Sequence, residues 1–164
     1  MDTAEEGALA DPGQRLLARI ADVLIVGLPT VMVLLETVPR SRLDEVAPVA
    51  VAGLLLVYES VQTALWGRTI GKRIAGIAVV RVDGGGPLRP VQALLRAAVF
   101  ALPIAARPVP VLGLLAGIFW VVNLAAVYEG GRRAVPDGPR RALHDRFAGT
   151  VVVRTGPEPA AVAE

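Results

Sequence analysis

The chain has 164 residues, of which 54% are hydrophobic and only 4% aromatic, and its mean hydropathy is +0.56. So much apolar side chain in one domain-sized chain excludes disorder and sits poorly on a water-soluble surface. The absence of cysteine removes disulfides and thiol chemistry, and the single histidine disfavours His-based metal sites and a Ser-His-Asp triad. A net charge of +2 is too small to argue for nucleic acid as a partner.

Four apolar stretches follow in chain order. The first runs from Leu16 to Leu35 and is uncharged from Val23 onward; the second runs from Val46 to Trp66 and is uncharged up to Tyr58. The third, Val91 to Ala106, is shorter and carries Arg96, whereas the fourth, Val109 to Tyr128, carries no charge. A spanning helix needs about 20 apolar residues, so the third spans only with help from neighbours, as a re-entrant segment, or lies in the interface. The acidic residues Asp2, Glu5, Glu6 and Asp11 before the first stretch are the reverse of a signal-peptide start, so the first helix is expected to remain as an anchor.

Loop charge sets the expected topology. The segment after the second stretch holds Arg68, Lys72, Arg73, Arg81 and Arg89, and the C-terminal region holds Arg132, Arg133, Arg140, Arg141, Arg146 and Arg154. Positive residues favour the cytoplasmic side. Both regions lie there only if the third and fourth stretches form a hairpin, with Arg107-Pro108-Val109-Pro110 as its outer turn. The expectation is an all-α integral membrane protein of the cell membrane with four crossings and both termini cytoplasmic. Two β-branched runs, 77–82 and 149–154, are expected to pair as a small cytoplasmic sheet, since a lone strand leaves its backbone groups unsatisfied. Residues 1–12 and 155–164 read as disordered tails flanking one domain over 13–154.

Three motifs then resemble the RDD family of membrane proteins. They are Arg15-Leu-Leu-Ala-Arg19-Ile-Ala-Asp22, Gly67-Arg68-Thr-Ile-Gly71-Lys72-Arg73-Ile-Ala-Gly76 followed by Asp83-Gly84, and Leu143-His144-Asp145-Arg146-Phe-Ala-Gly149-Thr150. Ile70 stands where the family often has proline, which bears on the local turn. The resemblance implies Arg15, Asp22 and Asp145 as the residues that name the family. It also implies a membrane protein for which transport, including cation–proton antiport in some members, has been suggested.

The residues themselves point to a polar layer. Asp22 lies six residues past Leu16, about 9 Å into its helix, and Glu59 lies about 10 Å before Trp66. Arg15 and Arg19 share a face with Asp22; Gln62 and Thr63 extend a stripe from Glu59; Arg96 and Asn123 fall at a similar depth. Charge at membrane depth persists only if paired, wetted or used. Asp22 and Glu59 are therefore candidates to bind an ion or ligand, with Arg19 and Arg96 as charge partners. The alternative is a salt-bridged layer that only fixes helix register.

The glycine motif is not a Walker loop, because Trp66 and Arg73 occupy its glycine and Ser/Thr positions. Its Arg68, Lys72 and Arg73 are candidates for anionic lipid headgroups of the inner leaflet. Gly84-Gly85-Gly86 reads as a turn. His144 reads as a surface residue, with a proton relay to Asp145 as the less favoured option. Asp145 is expected to cap a helix or to pair with an arginine of the glycine motif. Gly113 and Gly117 form a GxxxG for helix packing, within the chain or between copies.

No nucleophile–base pair, metal cluster or nucleotide motif is visible, so no enzymatic activity, metal or cofactor is expected. The leading reading is a non-enzymatic accessory or assembly subunit, embedded in lipid and joining a larger complex or a homo-oligomer. The alternative is a transporter or ion-coupled protein using Asp22 and Glu59.

Overall fold

The computed structural model describes residues 10–81, 88–129 and 148–155, with side chains through residue 122 of the middle segment. Helix α1 spans Pro12–Thr37 and α2 spans Arg40–Trp66. The short helix α3, Ile70–Ile74, and strand β1, Ile77–Arg81, follow. Helices α4, Pro90–Ala105, and α5, Pro110–Glu129, then lead to strand β2, Thr150–Arg154.

Local chemistry explains the boundaries. Asp11 caps α1: its carboxylate accepts from the Gly13 amide, and the Gln14 side chain accepts from the Asp11 amide in return. Pro12 occupies the first helical position, where no amide hydrogen is needed. Val38 and Pro39 turn the chain into α2. Gly67 ends α2 at φ +66, a left-handed conformation that favours glycine. Its carbonyl then accepts from the Val79 amide at 2.8 Å, fastening β1 to the end of α2.

At about 1.5 Å per residue, α1 and α2 are roughly 39 and 40 Å long, α5 about 30 Å and α4 only about 24 Å, against an apolar bilayer core of ~30 Å. Helices α1 and α2 are long and apolar enough to cross a membrane, and little of either is buried within the protein. Leu24, Leu28, Met32 and Val33 on α1 and Leu54, Val57 and Val61 on α2 are exposed. This is the reverse of the core helix of a soluble protein.

The strands pair antiparallel, from Ile77 opposite Arg154 to Arg81 opposite Thr150. This is the pairing expected from the two β-branched runs. Ala10 extends the arrangement, donating its amide to the Val152 carbonyl, and its side chain joins Ala18, Ala75, Ile77, Val79, Leu88 and Val152 in a small core. The start of α1, the end of α2, α3 and the sheet therefore meet at one end of the helices. In sequence the paired strands flank α4 and α5, β1 preceding α4 and β2 following α5.

Candidate functional site

The polar residues expected at membrane depth do come together, but in a different pairing. Asp22 is buried, at 2% exposure, and meets neutral donors rather than Arg19. The Tyr58 hydroxyl donates to its Oδ1 at 2.7 Å, the Thr69 hydroxyl to Oδ2 at 2.6 Å, and the Gly71 amide to Oδ1 at 2.8 Å. Asp22 thus joins α1 to α2 and to the first turn of α3. Tyr58 reinforces the join, since its oxygen also accepts from the Ile70 amide at 3.2 Å.

Glycine is required at the centre of this contact. A Cβ on Gly71 would lie 2.3 Å from the Ala18 carbonyl oxygen and 2.7 Å from the Asp22 carboxyl carbon. Only a residue without a side chain lets α3 press against α1 closely enough for its amide to reach the carboxylate.

Glu59, equally buried, gathers the cations. Arg19 Nη1 donates to its Oε2, Lys72 Nζ to Oε1 at 3.0 Å, and Arg96 Nε stands 3.9 Å from Oε1. Arg19, three residues before Asp22 on α1, thus pairs across helices instead. Arg19 faces Glu59 on α2, and its guanidinium carbon also sits 3.8 Å above the centre of the Phe100 ring on α4. Phe100 meets Trp120 of α5 edge to face at 4.6 Å.

Lys72 links the two carboxylate clusters, approaching Thr69 Oγ1 at 3.4 Å. Burial pushes its ammonium down, to about 8, against the pull of Glu59. This corrects its assignment to lipid headgroups: Lys72 points inward and is 3% exposed, so it has no access to a phosphate outside. Arg68 is half-buried and Arg73 exposed.

Arg96 connects the layer to the sheet, donating from Nη1 to Thr150 Oγ1 at 3.1 Å. Arg15 does the same from α1, its Nη2 lying 3.5 Å from the Val152 carbonyl. Thr63 is buried one turn beyond Glu59, and among the described residues neither Thr63 Oγ1 nor Arg19 Nη2, both buried, has a hydrogen-bond partner. Asp145, His144 and the glycines at 84–86 lie outside the described residues, as does the side chain of Asn123.

Among the described residues, the GxxxG pair meets no other helix. A Cβ on Gly117 would meet nothing within 4 Å, and the neighbour of Gly113 is the Arg107 backbone in the preceding turn, 2.9 Å from such a Cβ. Tyr58 and Thr69 escaped the sequence reading, although Tyr58 directly precedes Glu59 and Thr69 sits inside the glycine motif. Phe100 escaped as well, as an aromatic in an otherwise aliphatic helix. Among the described residues no group of three His, Cys, Asp or Glu side chains is placed to hold a metal ion.

No curated protein and no solved structure matches the chain. A model of the RDD family matches residues 9–149, which takes in the α1 motif, the glycine motif and the α4–α5 hairpin. The chain, a membrane protein by this kinship and by its exposed apolar helices, belongs to the RDD family.

Proposed function

We propose that this protein is a non-enzymatic accessory or assembly subunit of the cell membrane, with four crossings and both termini in the cytoplasm. In this reading Asp22, Glu59 and their partners form a structural clasp. The observation that carries it is the saturation of Asp22 by Tyr58, Thr69 and Gly71, three donors from two other elements. A carboxylate that exchanges a cation or proton must give up its donors at each cycle, and these three also hold the fold together.

The pairing of β1 with β2 supports the even number of crossings between them. The arginines and lysine clustered at the sheet end support the cytoplasmic assignment of that end. Helix α4, short for the bilayer, crosses with its Arg96 end drawn into the polar layer rather than exposed to lipid.

A second reading rests on Thr63 Oγ1 and Arg19 Nη2, which are buried and, among the described residues, without hydrogen-bond partners. Such groups are satisfied by water or a bound ion, and in a transporter or ion-coupled protein that is where one would enter. Purification in mild detergent tests the first reading by asking whether a stoichiometric membrane partner accompanies the chain. Purified protein that moves Na⁺, K⁺ or H⁺ across vesicles on its own would replace it with the second.

A further inference from the structure

The glycine motif sends its cations in two directions. Lys72 turns inward to Glu59. Arg73 is exposed and Arg68 half-buried, and among the described residues neither guanidinium has a hydrogen bond or an ion pair. What Arg73 does have is an aromatic face: its guanidinium carbon stands 5.5 Å from the centre of the Trp66 ring.

Trp66 is the last residue of α2 and is 55% exposed. Leu65 beside it is exposed, and so are Ile70 and Ile74, which lie four apart on one face of α3. This corner thus presents a tryptophan, three aliphatic side chains and two guanidiniums without a carboxylate partner among the described residues. Its apolar part continues the exposed face of α2 through Val57 and Val61. A tryptophan at the end of a spanning helix belongs at the level of the headgroups. The Asp22 clasp holds α3 at that level independently of lipid, through Thr69 and Gly71.

We propose that Arg68 and Arg73 bind the phosphate of an anionic phospholipid, whose glycerol–acyl boundary rests on Trp66, Ile70 and Ile74. An acidic protein segment would satisfy the two arginines but leave the aliphatic side chains beside them facing lipid with nothing gained. A phospholipid supplies both chemistries in one molecule, charge above and hydrocarbon below. The site rests on the reading of α2 as a membrane span. Each arginine is worth about fivefold in affinity near an anionic surface, so removing both weakens binding about 25-fold.

The test uses the full chain in two measurements. In detergent, short-chain phosphatidylglycerol is titrated against wild type and Arg68→Gln/Arg73→Gln, following the melting midpoint. Phosphatidylcholine and inorganic phosphate serve as comparisons. In vesicles, Trp66 emission is isolated with Trp120→Phe, or by difference with Trp66→Phe if that variant fails to fold, and quenched by lipids brominated high on the acyl chain.

The expected results are a phosphatidylglycerol shift absent with the two comparisons and lost in the double variant, together with strong quenching of Trp66. Equal shifts with phosphatidylcholine, or an undiminished shift in the double variant, overturn the lipid site. An equal shift from inorganic phosphate overturns it in favour of a free-anion site. An unquenched Trp66 in correctly inserted protein overturns instead the placement of the α2 end at the membrane surface, on which the proposal rests.

Discussion

The Gly71 amide donates to Asp22 Oδ1 at 2.8 Å across a contact so close that a single added carbon would collide with α1. Two of the family's motifs, far apart in the chain, are therefore one physical unit: the α1 carboxylate organises the first turn of the glycine motif. That turn in turn places Lys72 inside, against Glu59.

Gly71→Ala is the sharpest probe of that unit. The new Cβ would meet a backbone carbonyl at 2.3 Å, which moves only if α3 moves. A loss of at least ~2 kcal/mol is expected, in the range of overpacked cores. Gly53→Ala, in α2 with nothing within 4 Å of its Cβ, should be neutral or stabilising by up to about 1 kcal/mol. Melting midpoints of the two variants in the same detergent check the contrast; equal effects would contradict it.

Glu59→Gln should cost more than Glu59→Gln combined with Lys72→Met. The single change strands Lys72 and Arg19 in a buried site, at about 3–5 kcal/mol for a broken buried pair. Replacing Lys72 with an apolar chain of similar length removes one of the stranded charges. Recovery of melting temperature in the double variant is the expected outcome. Strictly additive losses would show that Lys72 and Glu59 do not interact.

Tyr58→Phe deletes one donor to Asp22 and should cost about 1.5–3 kcal/mol, the range for a hydrogen bond to a charged group. With Asp22→Asn in the background the same deletion should cost less, because the charge it served is gone. A double-mutant cycle measures that coupling, expected at 0.5 kcal/mol or more.

The strand register is open to a direct chemical check, because the chain contains no cysteine of its own. Val80→Cys and Val151→Cys are register partners and should form a disulfide on mild oxidation. Val80→Cys with Val152→Cys places the thiols on opposite faces of the sheet and should not. The reverse result would mean a one-residue slip.

Much of this architecture is legible from period and charge alone. The long apolar runs give α1, α2 and α5, and the two β-branched runs give a sheet, since each alone would leave its backbone groups unpaired. The presence of Asp22, Glu59, Arg19 and Arg96 in one layer follows from counting residues inward from the helix ends. Their pairing does not. Arg19 is three residues from Asp22 on the same helix, yet local spacing loses to tertiary packing, because Glu59 comes from another helix and Phe100 offers its ring to the same guanidinium. The direction of Lys72 was equally hidden. In a five-residue helix, neighbouring positions point in or out according to where α3 docks, and the docking depends on Asp22, fifty residues upstream.

Whether Asp22 holds structure rather than moving an ion is decided by one variant, with melting temperature and vesicle flux measured together. Asp22→Asn should lower the melting temperature, by up to about 3 kcal/mol of stability, with no Na⁺, K⁺ or H⁺ flux in wild type or variant. Wild-type flux that disappears in an Asp22→Asn protein of unchanged melting temperature would contradict a structural role.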